Sequence, residues 1–271
     1  MFIGYFTDFL PITMIFPISA VPLPAVVHNM DFSVIVWLIL FCTGASFVQR
    51  VSGFGFGIFI MTMLPHLMPS YGEATTLSGM LSAAQSLYVI FSFYRYIKWR
   101  ELLPILAAFL VVSFFAVQYV SAATDTHLKH LLGVVLIIVS VYFLIISERI
   151  KLNPTMPVQI SMGALSGVMG GLFAMQGPPA VLYFSAAESD KNCYMAMTQV
   201  YFLIGNIFMT VYRWQCGFLT PTVGWCWLYT LIGVVVGSWL GRLVFDRLSA
   251  PLLRKVIYAY MAVSGVIALM A

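Results

Sequence analysis

Val51-Ser52-Gly53-Phe54-Gly55-Phe56-Gly57-Ile58-Phe59-Ile60-Met61 and Leu165-Ser166-Gly167-Val168-Met169-Gly170-Gly171-Leu172-Phe173-Ala174-Met175 read as two versions of one element. Each carries Ser-Gly, a glycine four residues later, then Phe and Met, and each runs on to a proline, Pro65 or Pro179. One offset aligns them all. Gln85 and Gln199 keep that offset, and Tyr94-Arg95 answers Tyr212-Arg213 after a short insertion in the second copy. The chain therefore divides into two halves, 33–148 and 157–271, joined by a linker at 149–156 and preceded by an apolar, proline-rich segment at 1–32.

The solvent of these halves follows from composition. Apolar residues make up 62% of the 271 and charged residues 8%, against the ~25% usual in soluble proteins. Such a chain belongs in a bilayer. A formal charge of +4 spread over scattered residues offers no stripe to follow a phosphate backbone, so nucleic acid is excluded as a partner. Cys42, Cys193, Cys216 and Cys226 have no spacing that suggests a metal site or a disulfide framework, and no cofactor is called for. With Arg50 the first basic residue, no signal-peptide n-region is expected. Residues 9–27 contain Pro11, Pro17, Pro22 and Pro24 and read as interfacial or tucked against the bundle rather than as a further span.

Six stretches have the roughly 20 apolar residues a membrane helix needs: 73–94, 102–121, 127–147, 190–212, 223–241 and 253–270. The regions 33–69 and 156–188 are apolar but interrupted, and each is expected to divide into two pieces. Charge sets their orientation. Arg95, Lys98 and Arg100 follow the third apolar segment of the first half and Arg149 and Lys151 close that half, whereas the second half gathers Arg242, Arg247, Arg254 and Lys255 further along and keeps only Arg213 in the loop equivalent to 95–101. An inverted repeat places all the clusters inside. The expected fold is an all-α integral membrane protein of two inverted repeats, each a broken or re-entrant glycine-rich helical hairpin plus three transmembrane helices; five crossings per half is the alternative.

A backbone that breaks inside hydrocarbon survives only where it is buried in protein or lines a watery cavity. The glycines Gly53, Gly55, Gly57, Gly170, Gly171 and Gly177, with Pro178 after them, are thus expected to line one shared cavity and to offer unpaired amides to an anion. Close helix packing is the competing reading of the same glycines. Arg50 lies one turn before the first break, opposite Ala164 in the second copy. Deep in a re-entrant hairpin it would need an anionic partner, which a transported anion supplies; at the cytoplasmic end of a full span it would serve the inside-positive bias instead. Gln49, Ser52, Gln85, Ser166, Gln176 and Gln199 are neutral candidates for an oxyanion's hydrogen bonds, or polar joints between helices. No carboxylate is placed mid-membrane; Glu73, at the margin of a span, is the first candidate for a buried one, and His66 is read as interfacial.

Gly53-Phe54-Gly55-Phe56-Gly57 with Pro65, and Gly170-Gly171-Leu172-Phe173 with Gly177-Pro178-Pro179, resemble the motifs of the sulfite exporter TauE/SafE family, the toluene sulfonate uptake permeases. Many members have denser glycine runs, where this chain carries Phe56 and Met169. The resemblance implies a multi-pass permease of the bacterial inner membrane that moves sulfite, organosulfonates or small carboxylates, with the matched glycines and Pro178 at its binding site. A passive anion channel is the alternative. An intramembrane enzyme is not supported, because HExxH, GxSxG and paired mid-membrane carboxylates are all missing. The partners expected are a small anion and the lipid bilayer, with a homo-oligomer compatible with the sequence.

Overall fold

A computed structural model describes residues 32–141 and 153–244. The segment 9–27, the span expected at 253–270 and the charges Arg149, Lys151, Arg247, Arg254 and Lys255 lie outside them. Helices in chain order are α1 (Phe32–Ser52), α2 (Phe56–Ile60), α3 (Leu64–Leu67), α4 (Tyr71–Ile90), a 3-10 turn (Tyr94–Tyr96), α5 (Trp99–Ala122), α6 (Asp125–Val141), α7 (Met156–Phe173), α8 (Gly177–Ala187), α9 (Lys191–Gln215) and α10 (Pro221–Val244). No strand occurs among the described residues. Five of these helices, α1, α5, α7, α9 and α10, are long and apolar enough to cross a membrane.

Polarity is turned inside out. Trp37, Leu40, Phe91, Phe115, Ile138, Ile232 and Trp239 are exposed, whereas Thr75, Thr76, Ser78, Gln85 and Ser86 on α4 and Thr198, Gln199, Asn206 and Arg213 on α9 are buried. Water would penalise such a surface; hydrocarbon favours it. The inner helices α4 and α9 lie side by side and run antiparallel, since Asn206 Nδ2 donates to Ser82 Oγ (3.0 Å) while Arg213, further along α9, reaches back to Thr75 O (3.1 Å).

Two seams flank this pair, and each is lined by glycines at every fourth position. On α7, Gly163, Gly167 and Gly171 press against the carbonyls of Ile105, Phe109 and Ser113 of α5; on α10, Gly233, Gly237 and Gly241 press against Ile39, Thr43 and Phe47 of α1. Both seams advance in step, so their helices run parallel. A Cβ at Gly167 would lie 2.8 Å from Phe109 O, and one at Gly233 2.7 Å from Ile39 O, closer than van der Waals contact allows. Glycine packing, the competing reading of such residues, therefore accounts for these seams.

The broken regions differ from the expected short hairpins. Their first limbs, α1 and α7, are full-length, and only the returning limbs are short. The first region divides into three helices; α1 and α2 part where Gly53 (φ 84°) and Gly55 (φ 98°) take left-handed backbone that side chains oppose, and α2 and α3 part at residues 61–63. The second breaks later than expected. Gly170 and Gly171 remain helical inside α7, held against α5, and the chain turns at Ala174 (φ 54°), whose amide closes on Gly170 O at 2.9 Å. Ala174 tolerates this although alanine pays about 1–2 kcal/mol for it.

Cations gather at one end of the bundle. Arg50 ends α1, Arg242 ends α10, and Arg95, Lys98 and Arg100 surround the turn into α5. There Lys98 Nζ donates to both carboxylate oxygens of Glu188 (2.8 and 3.1 Å), tying the α4–α5 connection to the end of α8. Burial alone would raise the Glu188 carboxyl, but the Lys98 hydrogen bonds outweigh it and hold the group below the usual carboxylate range, while the same bond raises the Lys98 ammonium. At the opposite end, Thr220 Oγ1 donates to Glu73 Oε1 at 2.7 Å.

Two measurements check this packing. Gly237→Leu forces a side chain into α1 and is expected to cost about 1–3 kcal/mol or more in thermal unfolding of the detergent-solubilised protein, whereas Gly224→Ala, with open space around its Cα, leaves the transition unchanged or slightly raised. Glu188→Gln is expected to cost at most about 1 kcal/mol near neutral pH, because Lys98 is half exposed. Since the Glu188 pKa is depressed on folding, its contribution exists above the ordinary carboxylate range and disappears as pH falls through the folded value. A pH series of melting temperatures should show the variant and parent converging in acid.

Candidate functional site

Both breaks open onto one small cavity inside the bundle. Gly55, Phe56, Gly57 and Ile58 line it from the first break, Ala174, Met175, Gln176 and Gly177 from the second, and Gln49, Ser82 and Phe202 close it from α1, α4 and α9. The breaks touch: a Cβ on Gly57 would run into Ala174 O, and Gly177 lies against the Phe54 side chain. Only glycine at 57 permits that approach. The cavity is about 20 Å³, room for one water at the ~10–15 Å³ each requires, so a larger solute enters only if its walls part.

The donors around it are neutral. At the start of α2 the amides of Phe56, Gly57 and Ile58 belong to the first turn and have no carbonyl within the helix to meet. A helix of one turn has little macrodipole, so these N–H groups act singly. The second break offers fewer amides than its glycines suggest, because Pro178 and Pro179 follow Gly177 in the first turn of α8 and have no N–H. Gln176 is almost fully buried; its Nε2 donates to Phe202 O at 3.3 Å, and its Oε1 has no partner among the described residues.

Other polar residues brace the walls. Ser52 Oγ meets Val48 O (2.7 Å) and Phe54 O (2.6 Å), closing the end of α1. Gln199 Nε2 donates to Gly53 O at 2.8 Å and its Oε1 accepts from Gln49 Nε2 at 3.1 Å, so α9 holds the first break in place. Ser166 Oγ donates to Gln176 O at 2.5 Å and does the same for the second. Gln85 is elsewhere: its Nε2 reaches Ser46 O (3.4 Å) and its Oε1 accepts from Ser238 Oγ (2.5 Å), joining α4 to α1 and α10. Pro178 is buried in the first turn of α8, and Gly170 and Gly171 lie behind the second break rather than on the cavity wall.

Arg50 does not line the cavity. It is half-buried at the cation-rich end of α1, its Cβ facing Gly241 of α10. The deeply buried arginine is Arg213, 1% exposed, which the sequence reading leaves in a loop. Helix α9 runs on to Gln215 and carries it inside, where Nη2 donates to Gly170 O (2.9 Å) and Gly171 O (3.3 Å). Ser82 and Phe202 were also not legible as cavity residues, although Ser82 and Asn206, polar and mid-helix in apolar stretches, are the kind of signal that marks an inner face.

The comparisons agree with this architecture. A family model described as Sulfite exporter TauE/SafE matches residues 38–267, which takes in both breaks and every residue lining the cavity. No curated protein and no solved structure matches the chain. With nearly all of its length inside that match, the chain belongs to the sulfite exporter TauE/SafE family of membrane transporters.

Proposed function

We propose that the chain is a secondary carrier of small oxyanions, sulfite or organosulfonates, across the bacterial inner membrane, with the cavity between the two breaks as its binding site. The observation that carries this reading is the meeting of both breaks, with first-turn amides and neutral side chains, around one small cavity. An anion there exchanges its hydration shell for fixed donors: the amides of Phe56, Gly57 and Ile58, the amide of Gly177, the hydroxyl of Ser82 and the second Nε2 hydrogen of Gln176. Gln199, Ser52 and Ser166 position those walls. A cavity that holds one water favours a carrier, which must open by turns to either side, over a standing anion channel.

The fold we propose for this task is a pair of inverted repeats, 33–148 and 157–271. Direction supports it. Helices α1 and α7 head the copies, α4 and α9 follow, and α4 runs antiparallel to α9. The seams repeat the exchange, α1 with α10 and α7 with α5. Lys98 meeting Glu188 at one end and Thr220 meeting Glu73 at the other is the contact pattern inversion requires. The cation-rich end is then cytoplasmic.

Purified protein in liposomes is expected to show saturable sulfite uptake with counterflow. Gln176→Leu should weaken apparent affinity about tenfold, the worth of roughly one lost hydrogen bond, and Gly57→Val should abolish flux, while Arg50→Gln leaves affinity within about twofold of the parent. Flux that neither saturates nor shows counterflow would indicate a channel. An unchanged Gln176→Leu would remove the cavity from the pathway.

A further inference from the structure

Arg213 is a buried cation that no carboxylate answers. Its guanidinium is held by three backbone carbonyls, Thr75, Gly170 and Gly171, and forms no ion pair among the described residues. The titratable groups that face it are the phenol of Tyr71 and the thiol of Cys216. Carbonyl dipoles satisfy its hydrogen bonds but leave its charge whole. It also lies next to the cavity wall: Gly170 O accepts from Arg213 on one side and from the Ala174 amide on the other, and Ala174 lines the cavity, with Gln176 packed against Gly170. No Lys, Arg or His is among the lining residues.

We infer that the cavity is built for a singly charged anion, whose one charge is balanced from behind the second break by Arg213, and that it rejects dianions. The inference rests on the carrier reading above. Its physics is the difference between two scalings. The cost of taking an ion out of water grows with the square of its charge, so a dianion pays about four times as much as a monoanion of the same size, while its attraction to a single guanidinium only doubles. With one buried cation nearby and neutral donors at the surface, the balance favours a monoanion. Among sulfur oxyanions that means hydrogensulfite or an alkylsulfonate rather than sulfite dianion or sulfate. Arg213 is a positioning charge in this scheme, since it touches the wall and not the solute.

The test uses the full chain in detergent at constant ionic strength, with methanesulfonate as a permanent monoanion, sulfate as a dianion and dimethyl sulfone as a neutral mimic of the same shape. Binding is read by calorimetry and by thermal shift. The parent should bind methanesulfonate at least about tenfold more tightly than sulfate, Arg213→Lys should keep that preference, and Arg213→Gln should lose about tenfold for methanesulfonate with dimethyl sulfone unaffected. Equal or tighter binding of sulfate by the parent overturns the inference while leaving the carrier reading intact. Parallel loss of dimethyl sulfone in Arg213→Gln reduces Arg213 to a structural part and also overturns it. Should Arg213→Gln fail to fold, the parent and Arg213→Lys comparisons decide. Absence of binding by every anion, sulfite included, defeats the carrier reading and this inference with it.

Discussion

Hydrocarbon offers nothing to a peptide group that has left its helix, and each such group stranded there costs several kcal/mol. A chain that unwinds twice inside a bilayer must therefore bring both unwound places to the same interior and surround them with polar partners. Polar residues of α9 and α7 meet that demand. Gln199 takes the carbonyl of Gly53, Ser166 takes that of Gln176, and Arg213 takes two carbonyls from the last turns of α7. The cavity lies where those partners satisfy the carbonyls while the first-turn amides of α2 have no carbonyl within their helix, the surroundings that the proposed anion would need.

Much of this was legible in the chain itself. Composition placed it in the membrane, and apolar length found α4, α5, α9 and α10 to within a few residues. The first break was legible because Gly-Phe-Gly-Phe-Gly offers alternate residues without Cβ, and Gly53 and Gly55 use that freedom. The second was misplaced because its glycines serve another purpose. Gly167 and Gly171 let α7 approach the backbone of α5, a role identical in sequence to a hinge, while the turn itself falls on an alanine that no propensity would nominate.

The arginines were harder for a related reason. Arg50 and Arg213 each stand near the end of an apolar stretch and each lies two residues before its helix stops, so the sequence gives them the same appearance. What separates them is the face each presents: Arg50 is half-buried beside Gly241 of α10, whereas Arg213 turns toward α4 and α7 and is fully buried. Its counterpart across the duplication, Arg95, is exposed beside the Tyr94 ring. The side of the helix that meets its neighbours, not the place where the helix stops, sets the surroundings of each arginine.

The two glycine seams have a consequence for how such a chain can move and assemble. Each seam packs an element of one proposed repeat against an element of the other, so the most closely packed pairs are grafts, α1 with α10 and α5 with α7. A rocking motion would swing these grafts about the α4–α9 pair. On the proposed reading of two inverted repeats, the same seams correspond to subunit boundaries in a dimer of oppositely inserted half-chains, and joining the halves makes an assembly step that would depend on concentration an intramolecular one.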